Sequence, residues 1–150
     1  MEERPILICY DGTPASEHAI DTAAALLGTG PVVVLDVGPT ITAAESLASL
    51  SPVVPGNAFE ELNTSDALER ARHGAERAEI AGFSAEPRAL LASPTWQGIV
   101  DVADEIDAIV IVMGSRGLTG AREAFVGSVS HEVAEHARRP VLIVPPTDGE

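Results

Sequence analysis

Residues 108–117 read Ala-Ile-Val-Ile-Val-Met-Gly-Ser-Arg-Gly, an apolar run that ends in a glycine-bearing loop. Similar apolar runs occur at residues 5–10, 31–35 and 140–144. Each run is short, rich in β-branched residues and bounded by turn-forming residues, with no alternation between apolar and polar positions. Continuous apolarity of this kind predicts strands that are covered on both faces, as in a parallel sheet.

Helix-like stretches separate the apolar runs, and four helices are predicted at about residues 13–27, 64–81, 93–105 and 128–139. The first is expected to be capped by Thr13, to have Pro14 in its first turn and to stop at Gly28. A fifth, weaker strand is predicted at residues 84–92, where Pro87 indicates a sheet edge. Alternating strands and helices predict an α/β domain with a parallel sheet.

Length and charge limit the classes of function. The 150 residues suit a single domain, and residues 38–63 are expected to form a long loop with a short helix near 42–50. The chain has 23 acidic and 9 basic residues, a formal net charge of −14, and every basic residue is Arg. The absence of Lys excludes the lysine-dependent phosphate loop and Schiff-base chemistry.

The same composition bounds partners and location. A chain of charge −14 repels nucleic acid and anionic membrane surfaces, so neither is an expected partner. No apolar run approaches the length that crosses a bilayer, and no signal peptide precedes the first run, so the cytoplasm is the expected location. The single cysteine, Cys9, lies within an apolar run and is expected to be buried and inert.

The pattern that indicates function begins at Gly114, directly after the predicted strand. Gly117 follows after two intervening residues, and nine residues separate it from a helix start that reads Gly127, Ser128, Val129 and Ser130. Glycines allow close approach of the backbone to phosphate oxygens, and the first turn of a helix offers unpaired N–H groups. The serine hydroxyls and Arg116, in the loop, can add donors, so the segment predicts a phosphate site.

A second loop of the same kind follows the first strand and reads Tyr10-Asp11-Gly12-Thr13. If the first strand and strand 108–113 are neighbours, Asp11 and Gly114 face one crevice beyond the carboxyl ends of the strands. Asp11 could then hold Mg²⁺ of a metal–phosphate complex through a carboxylate oxygen. The alternative role of Asp11 is to cap the first helix.

These features resemble the universal stress protein family, in its ATP-binding type, over nearly the whole chain. The resemblance rests on Asp11-Gly12, on the closing run 140–145 and on the Gly-x2-Gly-x9-Gly-Ser spacing of Gly114, Gly117, Gly127 and Ser128. It implies an open, Rossmann-like five-stranded parallel sheet in the order 3-2-1-4-5 with helices on both faces. It also implies ATP binding and a dimer.

The resemblance further implies the roles of individual residues. Asp11 and its neighbours would lie beside the nucleotide, the backbone of Val37 would meet the adenine, and Met113 would line the base or ribose site. Ribose and phosphates would be held by Gly114, Gly117, Gly127, Ser128, Val129 and Ser130. Asp36 departs from the family, which often has His at that position.

The leading hypothesis is a regulatory protein of the stress response that binds ATP with Mg²⁺ and switches between states that favour different, unidentified protein partners. No residue set is an evident catalytic base, so little or no hydrolysis is expected. The alternatives are a slow ATPase or adenylyl-transfer enzyme of the same architecture, and an interaction module with an empty pocket.

The last apolar run, residues 141–144, predicts a homodimer. It would be an open edge of the sheet in a monomer, and an apolar edge favours pairing with a second copy about a two-fold axis.

Three other features are expected to be structural. His131 and His136 lie five residues apart and do not share a helix face, which excludes a zinc-protease helix. Trp96 is expected to pack at the surface, with a ligand or partner contact as the alternative. The charged run at residues 69–79 predicts an exposed helix face.

Overall fold

The computed structural model describes residues 3–38, 47–48, 50–53, 57–115 and 128–147. The predicted short helix near 42–50 falls mostly outside these ranges. The strands are β1 (Ile6–Cys9), β2 (Pro31–Gly38), β3 (Ser84–Leu91), β4 (Val110–Gly114) and β5 (Val141–Val144). The helices that alternate with them are α1 (Pro14–Leu27), α2 (Ala58–Ala81), α3 (Thr95–Glu105) and α4 (Ser128–His136).

The strands form one parallel sheet in the order β3-β2-β1-β4-β5, which confirms the predicted architecture. The strand containing Pro87 is at an edge, also as predicted. β1 is central and pairs with β4 in the register Ile6 to Val110 and Ile8 to Val112. The strand order therefore reverses between β1 and β4, which is where open α/β sheets form their ligand crevices.

Helices cover both faces of the sheet, and each face has its own aliphatic core. Side chains alternate along each strand, so every central strand contributes to both cores. One core packs under α1 and α2 and includes Ile8, Ile20, Val34, Ala78 and Val112. The other packs under α3 and α4 and includes Leu7, Leu35, Ile99, Ile111 and Val133. None of the described helices combines the length and apolar character needed to span a membrane.

Helix α2 begins six residues earlier than the predicted start at Thr64. Ala58, Phe59 and Leu62 are apolar in its first turns, but the buried positions of the helix begin only at Ala67, and the predicted start was therefore placed too late. Glu60 and Glu61 occupy the first turn, where negative charge interacts favourably with the helix dipole. These charges therefore stabilise the start of the helix, which precedes the part that packs on the sheet.

Helix α2 approaches the sheet very closely at Gly74. A Cβ atom at this position would lie 2.7 Å from the Tyr10 ring and 2.7 Å from Val34 Cγ1. Because real Cβ contacts are longer than this, only glycine allows the helix to pack so near the ends of β1 and β2. The close approach brings the preceding turn of α2, which contains Arg70, to the carboxyl edge of the sheet.

Candidate functional site

The carboxyl ends of β1 and β4 meet at the point where the strand order reverses. The amide of Tyr10, just past β1, still donates to the Leu35 carbonyl at 2.9 Å, so the ladder with β2 continues to this residue. Asp11 follows it, while Gly114 is the last residue of β4. The expectation that β1 and β4 are neighbours is confirmed, and the two predicted loops start from the same edge.

Asp11 anchors the turn between β1 and α1. Its Oδ1 accepts hydrogen bonds from the Thr13 amide at 3.0 Å and the Thr13 hydroxyl at 2.6 Å. The turn needs a positive φ of 84° at Gly12, which glycine adopts without strain. The helix cap itself is Thr13, whose Oγ1 accepts from the Ser16 amide, as predicted.

The second carboxylate oxygen of Asp11, Oδ2, is buried and has no hydrogen-bond partner among the described residues. Buried polar atoms are rarely left unpaired, so this oxygen is available to a partner that the described residues do not supply. A carboxylate oxygen is a ligand that Mg²⁺ accepts, and it also accepts hydrogen bonds from an organic ligand. The residue present therefore fits the predicted role beside a nucleotide or its metal.

Tyr10 contributes to this edge mainly through its backbone. Its side chain is 4% exposed and packs into the core under α1 and α2, against Gly74. The hydroxyl donates to Glu17 Oε1 at 3.4 Å, and burial together with Glu17 raises the pKa of Tyr10. The ring is thus part of the support beneath the crevice.

The start of α4 lies beside the end of β4. The Ser130 hydroxyl is buried and donates to the Gly114 carbonyl at 3.1 Å, which ties the helix to the strand. Because a hydroxyl has one hydrogen to donate, what Ser130 offers a ligand is its backbone N–H. Ser128 is exposed and Val129 is half-buried, and no acidic residue occupies this first turn.

The remaining predicted site residues divide into two groups. Val37 is half-buried near the end of β2, and Met113 is fully buried in the core under α3 and α4. The structure thus places the Met113 side chain inside the fold. Arg116, Gly117 and Gly127 lie outside the described residues, so their part in the site stays a prediction.

An ion pair at this edge was not anticipated from the sequence. The carboxylate of Asp36, near the end of β2, is 3% exposed and accepts two hydrogen bonds from Arg70 of α2, at 2.8 Å from Nε and 3.1 Å from Nη2. Burial raises the pKa of Asp36 although Arg70 acts to lower it. The pKa of Arg70 is raised, mainly by its hydrogen bond to Asp36.

The charged helix face predicted at residues 69–79 is exposed at Arg77, which binds Asp21 of α1 at 2.6 Å at the surface. Arg70 is the exception, because the buried carboxylate of Asp36 binds its guanidinium. One indication of the ion pair with Arg70 was available in the sequence. Asp36 is an isolated acidic residue in the apolar strand β2, and a buried carboxylate requires a partner.

Trp96 and His136 stack between α3 and α4. Their ring centroids are 4.3 Å apart and the planes are inclined by 22°. Trp96 is half-buried against the second core, in agreement with a packing role. The stack joins the C-terminal end of α4 to the start of α3.

Comparisons with known proteins place the chain in a family. Residues 3–145 match the model of the universal stress protein family, so the chain belongs to that family. The chain is 31% identical over 144 residues to universal stress protein YxiE of Bacillus subtilis, a match that covers 93% of this chain and 97% of that protein.

Solved structures show the same fold. The structure of MJ0577, a universal stress protein of Methanocaldococcus jannaschii, superposes with a TM-score of 0.76 at 24% identity and covers 97% of this chain and 98% of its own. A universal stress protein solved in complex with cAMP gives a TM-score of 0.61 at 25% identity, covering 94% of this chain and 96% of its own.

Proposed function

We propose that this protein binds an adenine nucleotide at the edge between β1 and β4 and acts as a nucleotide-dependent regulatory switch in the stress response. The observation that carries the proposal is the start of α4, which has no acidic residue in its first turn and lies against Gly114 where the strand order reverses. The cAMP complex of a family member supports the choice of an adenine nucleotide.

Two helices begin at this edge, and their N-termini indicate where the phosphates bind. The first turn of α1 is capped by Thr13 and contains Glu17. The first turn of α4 offers the backbone N–H groups of Ser128, Val129 and Ser130. Because an anion is favoured at a helix N-terminus without acidic side chains, we assign the phosphates to α4. The glycines and Arg116 of the preceding loop would complete the phosphate site.

Asp11 is the residue that would hold Mg²⁺ when the ligand is ATP. Its Oδ2 is buried and unpaired among the described residues, while Oδ1 is fixed by Thr13. The metal would supply positive charge to the phosphates, which a chain of net charge −14 otherwise lacks. We propose ATP with Mg²⁺ as the form that this arrangement favours.

We also propose that the protein is a homodimer joined along β5. This strand is at the edge of the sheet, and Val141, Leu142 and Ile143 are only half-buried there. Pairing with a second copy would cover their apolar surface and satisfy the open strand edge. Sedimentation that shows only a monomer at micromolar concentration would contradict this.

The test of the proposed function is a titration of the purified protein with AMP, ADP and ATP, with and without Mg²⁺. A bound ligand at one hundred times its Kd stabilises the fold by about 2.7 kcal/mol, which a thermal melt detects. No change in melting at millimolar nucleotide would overturn the proposal. Steady production of ADP or AMP by the wild-type protein would instead indicate an enzyme.

A further inference from the structure

Arg70 lies beside the turn that forms one wall of the proposed crevice. A Cβ atom on Gly12 would be 3.7 Å from Arg70 Cδ, so the aliphatic part of the arginine packs along this turn. Arg70 also interacts electrostatically with Asp11, which follows β1. The guanidinium therefore reaches the carboxyl edge from α2, on the face opposite to α4.

The buried carboxylate of Asp36 fixes the orientation of this guanidinium. Asp36 accepts from Nε and Nη2, which leaves the Nη1 end without an acceptor among the described residues. The Arg70 side chain is 39% exposed, so part of it faces outward from the ion pair. A guanidinium held along one edge presents its remaining N–H groups in a fixed direction at little further entropic cost.

The location of Arg70 distinguishes the two ends of a bound nucleotide. The phosphates are assigned to α4, which packs on the far face beside β4. Arg70 pairs with β2 and lies over the β1 turn, on the other side of the central strand. A nucleotide with its phosphates at α4 and its base directed towards β2 would bring the nucleoside end close to Arg70.

Asn63 supplies a second unpaired donor in the same region. Its Nδ2 is buried without a hydrogen-bond partner among the described residues. Asn63 precedes Arg70 by two helical turns on α2, and its carbonyl is 3.6 Å from a Cβ built on Gly38, at the end of β2. Donors that lack partners suit the acceptor atoms of a polar ligand group better than an apolar group.

We propose that Arg70, oriented by Asp36, is a specificity-determining residue that donates hydrogen bonds to acceptor atoms of the nucleoside end of the ligand. This assignment rests on the proposed nucleotide-binding function. It adds a recognition residue from α2 to a site otherwise built from the loops after β1 and β4.

The test measures the affinities of adenosine, AMP, ADP and ATP for the wild type and Arg70→Gln by titration calorimetry. Loss of a hydrogen bond from a charged donor is expected to weaken each ligand by a similar factor, about tenfold or more. A loss that grows from adenosine to ATP would overturn the assignment, because it would place Arg70 at the phosphates.

The matched control is Arg72→Gln. Arg72 lies two residues further along α2, its side chain is 59% exposed, and its charge partner Glu69 is 3.8 Å away. The substitution removes the same charge from the same helix without touching Asp36, so unchanged affinity is expected. An equal loss of affinity in both variants would overturn the assignment, because it would show that the overall electrostatic field of the protein and not a contact of Arg70 sets the affinity.

A second variant separates recognition from folding. Arg70→Gln leaves the Asp36 carboxylate buried and unpaired, so the double variant Asp36→Asn with Arg70→Gln is made and its unfolding is followed without nucleotide. The double variant is expected to recover ligand-free stability but not affinity. Recovery of both would show that Arg70 is only structural.

The two proposals fail in distinguishable ways. A wild type that binds none of the four ligands removes the proposed function, and the assignment of Arg70 with it. A wild type that binds nucleotide while Arg70→Gln binds it equally well removes only the assignment.

Discussion

The segments after β1 and β4 begin at the same edge of the sheet and both precede a helix, but the described starts of the two helices differ. The β1 loop is a short turn in which Asp11 binds Thr13 and Thr13 caps α1. After β4, the structure describes Ser115 and then α4 from Ser128, whose first turn has no acidic residue. The start of α1 thus has a side-chain cap and an acidic residue, whereas the first turn of α4, as far as the structure describes it, has no acidic residue.

This difference teaches how a strongly acidic protein can select a position for an anion. A helix N-terminus attracts negative charge, but Glu17 already supplies it at α1. Under the proposed function, the described first turn of α4, which has no acidic residue, is then the more favourable position, even though the net charge of −14 opposes any anion. Substitutions at the two helix starts and at the residues that support them test this contrast.

The largest expected effect is on the support beneath the β1 loop. Gly74→Val adds atoms where a Cβ already lies 2.7 Å from the Tyr10 ring, so the unfolding free energy should fall by about 3 kcal/mol. Chemical denaturation measures this change. Gly30→Ala is the control, since its Cβ would meet Glu3 Oε2 at an ordinary 3.5 Å. Equal stability of Gly74→Val and the wild type would contradict the packing argument.

The next effect concerns the N-terminus of α4. Ser128→Asp places a carboxylate where the phosphates are expected, so nucleotide affinity should fall about tenfold or more, which corresponds to about 1.4 kcal/mol. Stability without nucleotide should stay the same or rise, because the charge suits the helix dipole. Calorimetric titration and thermal melting measure the two quantities.

Ser128→Ala and Glu17→Gln are the companion variants for that experiment. Ser128→Ala keeps the backbone donors, so it should bind more tightly than Ser128→Asp. If the phosphates instead bind at α1, Glu17→Gln will increase affinity and Ser128→Asp will leave it unchanged. That result would reverse the contrast between the two helix starts.

A smaller effect is expected from the cap of α1. Thr13→Ala removes the side chain that accepts from the Ser16 amide, and loss of such a cap typically costs about 1 kcal/mol. Thr13→Ser retains the hydroxyl and should restore most of the stability. Urea unfolding compares the three proteins. If Thr13→Ser is no more stable than Thr13→Ala, the hydroxyl is not the stabilising group.

The smallest effect is the pH dependence that Asp36 contributes. Burial raises the folded-state pKa of Asp36 above its ordinary value of 3.8. Its contribution to stability is therefore fully present below that value and is lost as the pH rises through the folded-state pKa. The stability of the wild type relative to Asp36→Asn should decline as the pH increases from about 3.8. If the stability of the wild type relative to Asp36→Asn instead rises with pH, the pairing of Asp36 with Arg70 outweighs the effect of its burial.

The features predicted correctly are those that local sequence encodes. Apolar runs identified the strands, Thr13 and Pro14 marked the start of α1, and Pro87 indicated the edge strand. The start of α2 was missed because the residues of this helix that are buried in the core begin only at Ala67, after its first turns. The Gly114 and Asp11 loops were brought to one edge by strand order, which the resemblance to the family supplied.

The parts of the site that were not predicted depend on residues far apart in the chain. Asp36 and Arg70 are separated by 34 positions, and neither residue alone indicates the other. The Ser130 hydroxyl binds the Gly114 carbonyl across a 16-residue separation, and the Tyr10 ring packs under Gly74. Such pairings arise only when the helices dock on the sheet.

By itself, then, the sequence determined the parallel α/β sheet, its alternating helices and the two loops that could face a ligand. Those features follow from apolar runs, caps and turn residues, which act between near neighbours in the chain. Only the tertiary structure decided which polar groups are left for a ligand. Packing buried the Tyr10 ring, engaged the Ser130 hydroxyl and fixed Arg70 on Asp36, because a buried polar group must find a partner wherever the fold places one.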